Sequence, residues 1–68
     1  MTEQELLTDL AIAERNMKRK SSIYSVTFFK SVTDAFRTTR TNSFADLVEK
    51  DTRCALALRD LAVRENLL

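Results

Sequence analysis

Glycine and proline are absent from the 68 residues, and so are histidine and tryptophan. Without glycine or proline the chain lacks the usual residues of tight hairpin turns and of phosphate-cradling loops. That disfavours sheets with many turns and favours helices joined by short Ser, Thr and Asn connections. One cysteine, Cys54, excludes a disulfide within the chain, and with no histidine beside it a zinc site of the usual ligands is excluded too. The missing imidazole also removes the ordinary base for a serine or cysteine nucleophile, so neither enzymatic activity nor a cofactor is expected. Cys54 itself, on the flank of an apolar face, is expected to behave as a small hydrophobe. No apolar run exceeds the stretch Cys54 to Leu58, too short for a membrane span, and Glu3 and Glu5 argue against a signal peptide. A lone unpaired cysteine fits a reducing compartment, so a cytoplasmic protein is expected.

Against these absences stands a long helical period. At 100° per residue from Ser43 to Leu68, Phe44, Leu47, Val48, Cys54, Ala55, Leu58, Leu61 and Ala62 gather on one side. The spacing predicts one helix of about seven turns. Ser43-Phe44-Ala45-Asp46 supplies a capping pattern at its start. Asp46/Lys50, Glu49/Arg53 and Asp60/Arg64 place acid before base four residues apart, an arrangement that supports a solvated face. Asp51 and Glu65 interrupt the apolar stripe, and are expected at its wet edge or against a base such as Arg37 or Arg40. Leu56, Val63 and Leu67 form a second stripe on another side, joined by Ala45. A chain this short has little material to surround one helix on two sides, so this stripe is the expected contact surface for a second chain.

Earlier in the chain, Thr2-Glu3-Gln4-Glu5 is another capping box, followed by Leu6, Leu7, Leu10, Ala13 and Met17 on one face. This predicts a helix over Thr2 to Lys20, with acids in its first turn and Lys18, Arg19 and Lys20 in its last. Ser21-Ser22 reads as a connection and a new cap. Ile23 to Arg40 reads as a second helix with Tyr24, Phe28, Phe29, Val32, Ala35 and Phe36 on a broad face. The competing reading is a strand over Ile23 to Phe29, rich in β-branched and aromatic residues, with a helix beginning at the capping pattern Ser31-Val32-Thr33-Asp34. The aromatic residues, all between Tyr24 and Phe44, are expected in the core. Thr38 to Asn42 reads as a loop.

Charge is unevenly spread although the total is only +1: residues 1–14 carry acids alone, and residues 15–40 carry seven bases against Asp34. Arg15, Lys18, Arg19 and Lys20, with Arg37 and Arg40 folding back near them, are the candidate phosphate-binding set. In the strand reading the order strand, helix, turn, helix resembles that of a ribbon-helix-helix dimer in element order alone, which would imply DNA binding by paired strands. The sequence pI near 7.9 falls short of a strongly basic nucleic-acid footprint. Membrane-surface binding is disfavoured by the lack of tryptophan and the serine and threonine content of the basic segment.

The expectation is therefore a single small all-α domain over 1–68: two or three antiparallel helices with a long C-terminal helix, completed as a helical homodimer. Its expected function is that of a non-catalytic regulatory or adaptor protein that binds a protein partner through a helical surface. The alternative is a small DNA- or RNA-binding regulator that uses the basic segment 15–40.

Overall fold

The computed structural model describes residues 1–20 and 23–68, apart from the side chains of Lys20, Ile23, Tyr24 and Ser25. Thr2 starts the chain's first helix through a reciprocal pair of bonds. The Glu5 N–H donates to Thr2 Oγ1 at 3.1 Å, and the Thr2 N–H donates to Glu5 Oε1 at 3.0 Å. Two donors that a helix start leaves open are satisfied in this way. The Thr2 backbone bond, then its hydroxyl, hold the Glu5 carboxyl below the usual carboxylate range. Helix α1 runs Glu3–Lys20 and buries Leu6, Leu10 and Ala13, at the i, i+4, i+7 spacing of one helical face.

Helix α2 spans Ile23–Thr39. The strand reading of Ile23 to Phe29 is thus corrected, and Ser31 to Asp34 lies inside the helix rather than at its start. The physical reason is the period of the buried residues. Phe28, Val32 and Ala35 share one helical face, whereas a strand would have buried Val26 together with Phe28, and Val26 is 52% exposed. The expected connection and cap at Ser21-Ser22, and the expected core role of the Tyr24 ring, lie outside the described residues. At the other end α2 closes with a Schellman motif: the Thr41 N–H bonds the Phe36 carbonyl at 3.0 Å and the Arg40 N–H bonds the Arg37 carbonyl at 3.3 Å. That closure needs a left-handed residue, and with no glycine in the chain Arg40 takes it at φ 57°.

The expected single C-terminal helix is two helices, α3 over Phe44–Lys50 and α4 over Thr52–Arg64. Ser43 caps α3 as its sequence pattern predicts, its Oγ accepting from the Asp46 N–H at 3.1 Å. Asp51 makes the break. Its backbone N–H closes α3 on the Leu47 carbonyl at 2.7 Å, and its carboxylate opens α4 by accepting from the Cys54 N–H at 3.1 Å. A short side chain that accepts a backbone bond stabilises a helix start more than a helix interior. Asp51 therefore ends one helix and begins the next, and what reads as a polar interruption of the stripe is a cap. Replacing Asp51 by alanine removes the acceptor for Cys54 and is expected to lower unfolding free energy by about 1 kcal/mol. Urea denaturation followed by circular dichroism measures it, and an unchanged midpoint would contradict the cap.

Among the described residues there are no strands, and each of the four helices packs against the other three. Leu6, Leu10, Phe28, Leu47, Val48, Leu58 and Leu67 join buried alanines in one apolar cluster, with Phe36 and Phe44 at its edge, their ring centroids 5.4 Å apart. The radius of gyration is 10.8 Å, close to the value of about 11 Å expected for a folded chain of this length. One chain thus buries this cluster by itself. No helix among the described residues is long and apolar enough to cross a membrane.

Candidate functional site

The expected self-association stripe is divided. Leu56 and Val63 stand on the outside of α4 at 38% and 46% exposure, but Leu67 is 1% exposed and belongs to the core. A second Schellman motif is responsible. The Leu67 N–H reaches back to the Ala62 carbonyl at 2.8 Å, the Asn66 N–H reaches the Val63 carbonyl at 3.1 Å, and Asn66 takes φ 59°. In this motif the residue after the left-handed one turns inward against the last helical turns. Asn16 Nδ2 then donates to the Leu67 carbonyl at 2.8 Å and ties the chain end to α1. Asparagine followed by leucine after an amphipathic helix is the sequence signal for this closure, and a reading that extends the helix to Leu68 passes over it.

On α4 the two remaining apolar residues lie seven apart, about two turns along the axis. Asp60 is between them, with its Oδ1 3.6 Å from Arg59 Nη1. Arg53 and Arg64 are exposed on the flank of the same face. This surface carries both signs of charge. The expected i, i+4 pairs Asp46/Lys50, Glu49/Arg53 and Asp60/Arg64 do not come within ion-pair distance. The break at Asp51 separates Glu49 from Arg53, and Asp60 turns to Arg59 instead. Arg59 also makes the tightest ion pair among the described residues, Nε to Asp9 Oδ2 at 2.9 Å, a link between α4 and α1 across 50 residues. No local pattern could reveal it.

The candidate phosphate-binding residues occupy two places. Arg15, Lys18 and Arg19 are exposed on the last turns of α1, where Lys18 Nζ lies 3.5 Å from Glu14; the Lys20 side chain lies outside the described residues. Arg37 is in the last turn of α2, its Nη2 3.7 Å from Asp34. Arg40, just beyond, shares a polar hollow with Asp46 and Glu49. About 21 Å of helix axis lies between Ile23 and Arg37.

Three concavities among the described residues bear on the site. The first, about 520 Å³, is an open groove between α2 and α4 that includes Asp34, Thr38, Asp51, Cys54, Leu61 and Arg64. Burial, with Asp51 adding repulsion, pushes the Cys54 thiol above its ordinary pKa. The second is the polar hollow at Arg40. The third, about 250 Å³, lies between α1 and α2 over Met17, Phe28, Val32 and Phe36, with Phe29 and Lys18 at its lip. Phe29 is 56% exposed, so one ring expected in the core is on the surface. Among the described residues no cluster of three or more metal-ligating side chains forms. In comparisons with protein-family models, curated proteins and solved structures, the chain matches none.

Proposed function

We propose that this chain is a non-catalytic regulatory or adaptor protein of a reducing, cytoplasmic compartment that binds protein surfaces through the outer faces of its helices. A second copy docks on α4. The carrying observation is that the core is already filled while Leu56 and Val63 are held outside it at helical spacing. An apolar pair that a closed core leaves out has no folding task. A face with acid and base on it is also suited to a two-fold contact, in which Leu56 of one copy rests on Val63 of the other.

Such a contact is small. A standard interface buries about 800 Å² per partner, a large share of a total surface of 4665 Å², and one pair of side chains supports a dissociable dimer of folded units. Light scattering over a concentration series is expected to show a mass that rises toward twice the monomer. Leu56→Asp together with Val63→Asp is expected to abolish the rise while leaving helicity unchanged. A mass that stays monomeric throughout, or one the double variant does not alter, would remove α4 as an interface.

The second reading, a small DNA- or RNA-binding regulator, is favoured by Arg15 and Arg19, exposed at the end of α1 with no acidic partner among the described residues. It requires duplex binding that weakens steeply with salt. Absence of binding at low salt would eliminate it. Pairing of Lys18 and Arg37 with acids of their own helices favours the protein-binding reading over it.

A further inference from the structure

The outer face of α2 is unlike that of α4. Taken at 100° per residue, Val26, Phe29, Lys30, Thr33 and Arg37 fall within an arc of about 100°, and all five are exposed. The acids beside it are Asp34, just beyond the arc and engaged with Arg37, and Glu14, which lines the adjoining recess and lies 3.5 Å from Lys18 Nζ. This face is therefore apolar and cationic together. Beside it opens the recess between α1 and α2, whose floor is Met17, Phe28, Val32 and Phe36 and whose lip carries Phe29 and Lys18. Phe29 connects the two, lining the hollow while standing more than half in solvent.

We infer that α2 and this recess form a docking site for an amphipathic, acidic helix of a partner protein. The inference rests on the protein-binding reading above and names the surface and the chemistry of its occupant. Seated along α2, such a helix lays its apolar stripe on Val26 and Phe29 and drops one large side chain into the recess, in the helix-in-groove mode. Carboxylates on its flanks meet Lys30 and Arg37 on one side and Lys18 on the other, and Lys18 can exchange its contact with Glu14 for them. Charge complementarity selects this occupant: Lys18, Lys30 and Arg37 stand here against Glu14 and Asp34, with Lys30 in no ion pair among the described residues, so the face is net positive, a basic helix would be repelled, and a second copy laying its own α2 here would bring like charge to like. A lipid surface is a poorer match, because interfacial helices segregate cations from apolar residues, and here Lys30 shares an arc with Val26 and Phe29. A nucleic-acid duplex would meet the cations but leave Phe29 without a role, its bases being stacked on one another.

The test uses a fluorescent, designed helical peptide of about 16 residues, with leucines at i, i+3 and i+7 and glutamates on their flanks. A control peptide carries lysine at each glutamate position. Fluorescence anisotropy with the full chain is expected to show the acidic peptide bound at least about tenfold more tightly than the control, with affinity falling as salt rises. Phe29→Ser and Lys30→Glu, both at exposed positions, are each expected to weaken it about tenfold with circular dichroism unchanged. Leu56→Asp is expected to leave it intact. Equal binding of the two peptides, no binding of either, or indifference to both α2 variants would overturn the site, as would capture by phosphatidylglycerol vesicles or a DNA duplex without binding of the acidic peptide. If the acidic peptide fails while the α4 variants still change the assembly mass, this site is rejected and the protein-binding reading stands. If both fail, both are rejected.

Discussion

Phe28→Ala is expected to leave a large part of the protein unfolded at room temperature. Phe28 has no exposed surface and sits on the buried face of α2 with Val32 and Ala35, in the same apolar cluster as Leu6, Leu10 and Leu47. Truncating a buried phenylalanine to alanine costs about 3–5 kcal/mol, through lost transfer energy and the cavity left behind. A domain of this length has only about 3–10 kcal/mol in total. The loss is comparable to the whole. The neighbouring change Phe29→Ala, on the outer face, is expected to fall within about 0.5 kcal/mol of the parent. Urea unfolding of the two variants side by side checks the contrast, and similar midpoints for both would mean that α2 does not present the face described.

The second large effect is at the C-terminus. Leu67→Ala is expected to cost about 2–4 kcal/mol, since the side chain is fully enclosed and its removal leaves a cavity beneath the last turn of α4. The bond from Asn16 to the Leu67 carbonyl is then expected to weaken as well, because the inward turn that brings the carbonyl to α1 is no longer anchored by an apolar side chain. Leu56→Ala removes a partly solvated group and is expected to cost under about 1 kcal/mol. A leucine that belonged to an interface between copies would show the opposite pattern: little effect in dilute solution, and a loss that grows with protein concentration. Thermal unfolding of the two variants at low concentration distinguishes these outcomes.

Which parts of this structure were legible in the sequence follows from the range of the forces involved. The helical start at Thr2 and the cap at Ser43 depend on groups three residues apart, so the residue pattern carries them, and Glu5 and Asp46 make the expected bonds. The buried stripe of α1 was legible for the same reason. Asp51 was misread because burial periodicity continues across it. Leu47 and Val48 before it and Ala55 and Leu58 after it are all buried, so the apolar period resumes in register beyond the interruption although the backbone breaks there. The decisive signal was the aspartate itself, a stronger capping residue than a helical one. Leu67 was misplaced by the same extension of periodicity beyond the helix's closure. Phe29 was assigned inward because a broad aromatic stripe spans more of α2 than the other helices cover.

The links between Asp9 and Arg59 and between Asn16 and Leu67 join residues some 50 positions apart, and neither end carries a mark of its partner. Cover for the C-terminal segment is likewise a matter of tertiary packing that the 68-residue length does not reveal. The break at Asp51 lets α3 and α4 fold against each other and supplies that cover.

The central proposal is that the four-helix unit folds alone and keeps its apolar outer faces for partners. Circular dichroism and light scattering recorded together on one dilution series test that most directly. An unchanged helical signal is expected as the mass falls to that of a single chain. Helicity lost in step with mass would contradict it, since the core would then be shared between copies.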